Sequence, residues 1–386
     1  MPASSSVDLR RPPLDACTGL RFFAAMGVVA YHLYCPPCEP GVPTLPGKLF
    51  QAGFTTVSLF FILSGFILAY NYLGARGGFV GTVRGFYRAR FARIYPIYLL
   101  ALVVDVPLFI RGISMSDPAA TAGEVARISV ATLTLTQAWL ELGRPTWNIM
   151  AWTLSVEAFF YLLFPLMGPW LARQGSRRLL GVAAGAWLLA VLPFAAAEVR
   201  ADGAWGSALH LLGQVPSQLV PVARLPEFVV GICLGLLFCR RAAPGSARWR
   251  TVGLLGTAAA VVALILVLPP KPAPIPQMAL LMPLYALLVW LLAGGVAWRS
   301  LGLETRALKL LGGASYALYL LHGTMMNYAL ALNTRTFTLP HNVVALLVVP
   351  LAVAASLFLF KTVEEPGREW LRHLGRARTR ALEARG

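Results

Sequence analysis

Apolar stretches of the length that crosses a bilayer as a helix, about 17 to 25 residues, follow one another from residue 19 to residue 360, broken only by short polar or Pro- and Gly-rich joints. A chain built this way has little sequence left for a soluble domain, so the expected fold is an all-α polytopic bundle of membrane helices. Composition agrees, with 58% of the 386 residues hydrophobic, 13% charged and a mean hydropathy of +0.67, values outside those of ordinary soluble domains. We place ten spans, at 19–36, 50–72, 95–111, 152–172, 179–197, 223–239, 251–268, 277–298, 312–332 and 342–360. Residues 1–18 then form an N-terminal segment, 19–360 the transmembrane domain and 361–386 a basic tail. No small-residue cleavage site follows His32, so the first run reads as a retained span, not a secretory signal.

A net charge of +17 would fit a nucleic-acid binder, but the placement of the charge points elsewhere. Under the ten-span layout, 24 of the 33 Lys and Arg residues fall on one side; 8 fall on the other, Arg224 among them, and Arg21 lies within the first span. This is the positive-inside pattern, and it predicts a multi-pass protein of the cell membrane with both termini cytoplasmic and no nucleic-acid partner. The segment "RISVATLTLTQAWL", Arg127 to Leu140, is short, rich in Ser and Thr, and would invert every later loop if it crossed. It is expected to be a re-entrant or interfacial helix. Five cysteines are too few and too scattered for a disulfide framework. "CPPC", Cys35 to Cys38, falls in the first outer loop, where an oxidising exterior permits a strained disulfide, and no second ligand pair lies nearby, so no metal site is expected.

Ionisable residues inside spans are costly and tend to face polar interiors. In "GLRFFAAMGVVAYHLY", Gly19 to Tyr34, Arg21 and His32 stand 11 residues apart. Eleven steps of about 100° return to within about 20° of the start, so the two share a face, about 16 Å apart along the axis. Arg21 fits either a snorkelling cation or a buried site, and His32 carries the side chain best suited to accept and return a proton near neutral pH. In "MAWTLSVEAFFYLLFPL", Met150 to Leu166, Glu157 is a lone carboxylate in an apolar helix and needs a partner. His32 is the natural one at similar depth, where a carboxylate would fix the imidazole tautomer; a carboxylate bridging two helices is the plainer reading. "VRGFYRARFARIYPIYLL", Val83 to Leu100, brings Arg88, Arg90 and Arg93 to the cytoplasmic end of the third span, suited to lipid headgroups or to a phosphorylated cosubstrate. "FFILSGFILAY" places Ser64 and Gly65 inside a span, where small residues allow close packing, and "ASYALYLLHGTMMNY" places His322 mid-membrane, as a polar cavity member or a packed histidine.

Taken together, "TGLRFFAA" with its Arg21 to His32 spacing, "FFILSGF", "FYRARFARIYPIY", "WTLSVEAFFYLLFPL", "SYALYLLH" and the terminal "EEP" of Glu364 to Pro366 resemble, in order, the acyltransferase-3 family of integral membrane O-acyltransferases. The resemblance runs from about Leu14 to Pro366. It implies ten core helices and transfer of an acyl group, commonly acetyl, from cytoplasmic acyl-CoA to a hydroxylated sugar, glycan or glycosylated acceptor such as a macrolide. Acyl-CoA enters as cosubstrate, with no permanently bound cofactor and with membrane lipid as the surrounding partner. By the family pattern His32 maps to the catalytic histidine, Arg21 to its partner in the first helix, Arg90 and Arg93 to the cytoplasmic arginine pair and Glu157 to the Glu of the "SVE" element; from these we expect His32 and Glu157 to be catalytic and Arg21, Arg88, Arg90 and Arg93 to bind the acyl-CoA. Ser64, Trp152, Ser155, Tyr316 and His322 are further cavity residues. Two positions depart from the pattern: Ala158 and Phe159 follow Glu157 where the family often has a carboxylate and Gln, and Gly323 follows His322 where a proline is usual. The chain matches the stand-alone form, without an SGNH hydrolase domain. The competing expectation is a proton-coupled transporter or flippase in which Arg21, His32 and Glu157 form the substrate site.

Overall fold

A computed structural model describes residues 11–34, 45–74, 78–116, 121–140, 147–198, 220–240, 246–267, 274–295 and 303–370. Among them every long element is helical: α1 (Asp15–Tyr34), α2 (Leu45–Gln51), α3 (Thr56–Tyr72), α4 (Val83–Ser116), α5 (Ala122–Leu133), α6 (Trp152–Ala172), α7 (Ser176–Glu198), α8 (Leu225–Arg240), α9 (Ala247–Val267), α10 (Pro274–Ala293), α11 (Arg306–Thr336) and α12 (His341–Leu359). Each expected span therefore has its helix. Seven spans are long and apolar enough to cross a membrane among the described residues, the second of them running through α2 and α3 as Leu45–Tyr72. α7, α10 and α11 fall outside that group. For α11 the reason is composition: it carries Ser315, Tyr316, His322 and Thr324, polar residues tolerable in a bilayer only when turned inward.

The bundle closes through small residues, as lipid-embedded helices do when hydrophobic burial no longer distinguishes one apolar surface from another. α3 and α8 approach so closely that a Cβ on Gly231 would stand 2.2 Å from the Ile62 carbonyl oxygen, and one on Gly65 2.2 Å from that of Phe228. α1 meets α11 in the same way at Gly312, against the Thr18 carbonyl. These contacts bring α1, α3, α8 and α11 together around the polar interior, with α4 and α6 packed alongside.

The segment near 127–140 does not cross. It folds as α5, opened by a capping box between Thr121 and Glu124, then turns at Leu135 (φ 58°) into a 3-10 turn at Gln137–Trp139. Tyr98 donates to the Thr132 carbonyl at 2.7 Å and Gln137 to that of Ala151 at 2.7 Å, pinning the segment to α4 and to the start of α6. Two expectations need correction. The helix of α12 continues through a π-helical stretch, Phe360–Glu364, as far as Trp370, so the solvated tail does not begin at 361, and Glu364 is buried. Arg224, counted among the outer-loop cations, is 3% exposed, because Glu227 one turn on neutralises it inside the bundle. Cys35 and Cys38 lie outside the described residues.

Candidate active site

A cavity of about 90 Å³ opens between α1, α3, α4, α6 and α11. Arg21, Arg93 and Glu157 bring charge to its wall, and Ser64, Ser315 and Tyr316 line it with hydroxyls. Val57, Phe60, Phe61, Ile94, Leu154, Thr153 and Tyr319 complete the lining. Arg21 thus faces the protein interior and not the lipid. Neither Arg21 nor Arg93 has a hydrogen bond or ion pair among the described residues, so both keep donors directed at the open volume. Glu157 Oε1 accepts from Ser64 Oγ at 3.1 Å and from the Tyr161 hydroxyl, one turn further along α6. Tyr316 donates to the Ile94 carbonyl at 2.9 Å, which fixes its ring against α4.

The arginines expected to act as a cluster divide. Arg90 is enclosed by the rings of Tyr72, Phe86 and Tyr161, at 5.5, 5.9 and 5.8 Å, and donates to the Tyr72 hydroxyl at 3.3 Å. It therefore supports the tyrosine that holds Glu157 and does not reach the cavity. Arg88 is half-buried and lines no part of the cavity. Only Arg93 of the three faces the cavity. Sequence reasoning quoted Glu364 in "EEP" without giving it a role; its side chain, 3% exposed, lies within electrostatic reach of Arg93 and Arg21 and 3.6 Å from Arg368.

His32 and Glu157 do not form the expected pair. His32 Nδ1 lies 2.9 Å from the Val28 carbonyl and 3.4 Å from Nε2 of His322, and neither histidine lines the cavity. His322 is fully buried, with its Nδ1 3.2 Å from the Leu318 carbonyl. A carbonyl oxygen only accepts, so both imidazoles carry their proton on Nδ1 when neutral. His32 Nδ1–H is then shared between Val28 O and the lone pair of His322 Nε2. That leaves His32 Nε2 without a hydrogen-bond partner among the described residues and able to serve as a base. The imidazole beside His32 does what a carboxylate was expected to do, and the carboxylate belongs to the cavity.

The remaining expected cavity residues also separate. Ser64 and Tyr316 line the space, whereas Trp152 packs on the hydrophobic core. Ser155 is buried and accepts from the Ala138 amide at 3.2 Å, tying the re-entrant segment to α6. Local spacing could have revealed Tyr161, four residues after Glu157 on one helix face. Tyr319, Thr153 and Phe60 carried no such signal.

A family model described as an acyltransferase domain matches residues 14–360, almost the whole membrane region. The chain is 32% identical over 381 residues to the acyltransferase MdmB of Streptomyces mycarofaciens, covering 95% of this chain and 93% of that protein. A segment of 94 residues is 46% identical to protein 2 in the picA locus of Rhizobium radiobacter, covering 24% of this chain and 44% of that one. No solved structure matches. The bundle and the family match together define a multi-pass membrane acyltransferase. The chain belongs to the acyltransferase-3 family.

Proposed function

We propose that this protein moves an acyl group, acetyl in the simplest case, from cytoplasmic acyl-CoA to a hydroxyl of a sugar, glycan or glycosylated natural product such as a macrolide. The observation that carries the proposal is the pairing of two arginines that have no hydrogen bond or ion pair among the described residues, at one level of α1, with a tautomer-fixed histidine 11 residues along the same helix. The excess of Lys and Arg in alternate loops supports cytoplasmic termini, and with them a cytoplasmic mouth for the Arg21 and Arg93 end of the cavity.

In this reading Arg21 and Arg93 draw the phosphates of the donor to the cavity, with Arg88 adding charge nearer the start of α4. Glu157, held by Ser64 and Tyr161, offsets part of the charge of the two arginines and offers acceptors to the amides of the pantetheine arm. His32 Nε2 removes the proton of the acceptor hydroxyl as its oxygen attacks the thioester carbonyl. The positive charge gained by the ring spreads through Nδ1–H to Val28 O and His322 Nε2. Collapse of the tetrahedral intermediate breaks the C–S bond, and the imidazolium returns the proton to the departing thiolate, giving the ester and free CoA.

The test is CoA release with ester formation by membranes containing wild-type protein, against His32→Ala and Glu157→Gln variants with matched expression and thermal midpoint. General-base loss predicts a fall of about 10²–10⁴-fold for His32→Ala. Full acyl transfer by both variants overturns the assignment.

A further inference from the structure

Along α11 the cavity lining stops one turn short of His322. Along α11 the order is Ser315, Tyr316, Tyr319 and then His322; along α3 the lining runs from Ser64 back through Phe61 and Phe60 to Val57; along α6 it runs from Glu157 back to Thr153. At that level the Phe60 and Tyr319 rings meet edge to face, with centroids 6.2 Å apart at 66°. The Tyr319 ring also meets the His322 ring, with centroids 6.0 Å apart. Phe60 also packs against the cluster containing Ala25 and Val29, the part of α1 between Arg21 and His32. The Tyr319 hydroxyl is held 3.1 Å from Thr153 Oγ1, which itself sits 3.1 Å from the Met150 carbonyl, so the ring is braced from α6.

We propose that Phe60 and Tyr319 form an aromatic septum between the donor cavity and the His32–His322 pair, and that this septum selects the acyl group by its size as the thioester passes to His32. The inference rests on the proposed donor and base. A thioester lying beside Glu157 meets Phe60 and Tyr319 before it meets His32, and its acyl group leads the way through. A short acyl group needs only a small displacement of two rings whose packing is edge to face, whereas a longer or branched one must also displace the neighbours of Phe60 on α1. Tyr319, latched to Thr153, is the fixed half of the septum, and Phe60, which has no polar anchor, is the half that yields.

The experiment uses source cells from which the gene has been deleted, complemented with wild type, Phe60→Ala, Phe60→Trp or Tyr319→Phe. The metabolite that loses its acyl group on deletion is purified in that form and supplied as acceptor to membranes from each strain, with equimolar acetyl-CoA and butyryl-CoA competing. Products are separated by mass. Phe60→Ala is expected to raise the butyryl-to-acetyl ratio about tenfold, on the scale by which an apolar pocket discriminates one or two methylenes. Phe60→Trp lowers the ratio, and Tyr319→Phe, which keeps the ring and loses the latch to Thr153, raises it by less than Phe60→Ala. An unchanged ratio in Phe60→Ala and Phe60→Trp with acetyl transfer retained overturns the septum while leaving the donor and base as proposed. If Phe60→Ala is inactive, the ratios from Phe60→Trp and Tyr319→Phe decide the same question. If wild-type membranes release no CoA from either donor, the proposed function itself fails and the septum fails with it.

Discussion

Two groups of buried ionisable residues share the wall formed by Phe61, and they are built on opposite plans. On one side Arg224 and Glu227 face each other at 3.0 Å, Ser58 donates to the same Glu227 oxygen at 2.8 Å, Arg224 reaches Ser58 at 3.2 Å, and the guanidinium lies 5.1 Å from the centre of the Phe61 ring. Both charged side chains are 3% exposed, and neither lines the cavity beside Glu157. On the other side Arg21, Arg93 and Glu157 surround open volume, and the two arginines have no hydrogen bond or ion pair among the described residues. The difference separates two reasons for keeping charge in a membrane. A group that closes on itself locks α3 to the start of α8, while a group left open holds its charge for something that arrives.

The sharpest way to break this comparison is to remove one carboxylate from each side. Glu227→Ala removes the carboxylate that pairs with the buried Arg224 guanidinium, and loss of one partner of a buried pair costs about 3–5 kcal/mol. We expect a large fall in thermal midpoint and in membrane yield, with the specific activity of surviving protein close to wild type. Glu157→Gln reverses the pattern, sparing the midpoint because the amide still accepts from Ser64 or Tyr161, and losing transfer. Equal loss of stability in the two variants would erase the distinction.

A second, smaller effect concerns the open arginines. Arg21→Ala and Arg93→Ala each remove a charged donor facing the cavity, for which about 1.5–3 kcal/mol is the usual scale. This predicts a fall of about 10- to 100-fold in kcat/KM for acyl-CoA, carried mainly by KM, and a thermal midpoint that stays the same or rises as repulsion between the two cations is relieved. Arg90→Ala, which empties the box of Tyr72, Phe86 and Tyr161, instead lowers the midpoint together with activity. Donor titrations alongside thermal scans separate the two outcomes.

What could be read in advance follows the range of the interactions. The Arg21 to His32 stripe lies within one helix, so helical geometry alone exposes it, and α1 is unbroken from Asp15 to Tyr34. The spans were legible for the same reason, apolar length being a local property. Partner choice is not local: Glu157 takes Ser64 from 93 residues away, and His32 meets His322 across 290. The expected Glu157 to His32 pair followed from a shortage of alternatives at similar depth, and it missed Tyr161 four residues along the same helix. Arg224 was misplaced by a rule that assigns cations to loops. Glu227 three residues later was the visible signal that this cation could be carried inside.

The finest test of the comparison lies within one helix. Ser58 and Ser64 are six residues apart on α3, about 600° of rotation, so they leave the helix about 120° apart on different faces. Ser58 enters the closed group and Ser64 the open one, and each hydroxyl donates to a glutamate, at 2.8 and 3.1 Å. The same Ser→Ala change therefore poses the same chemical question to both. At Ser58 it removes a hydrogen-bond partner of both Glu227 and Arg224 at a position that does not line the cavity, and loss of a buried polar partner costs about 1–3 kcal/mol. At Ser64 the cavity can admit water to the vacated position, so the stability loss stays within about 0.5–1.5 kcal/mol. Glu157 then rests on Tyr161 alone, and a fall of about 2- to 10-fold in transfer is expected from a less firmly oriented carboxylate. Thermal scans and CoA release on the two variants give four numbers. The comparison stands only if Ser58→Ala is the larger loss in stability and Ser64→Ala the larger loss in turnover, since a single polar network spanning Phe61 would move both readouts together in both variants.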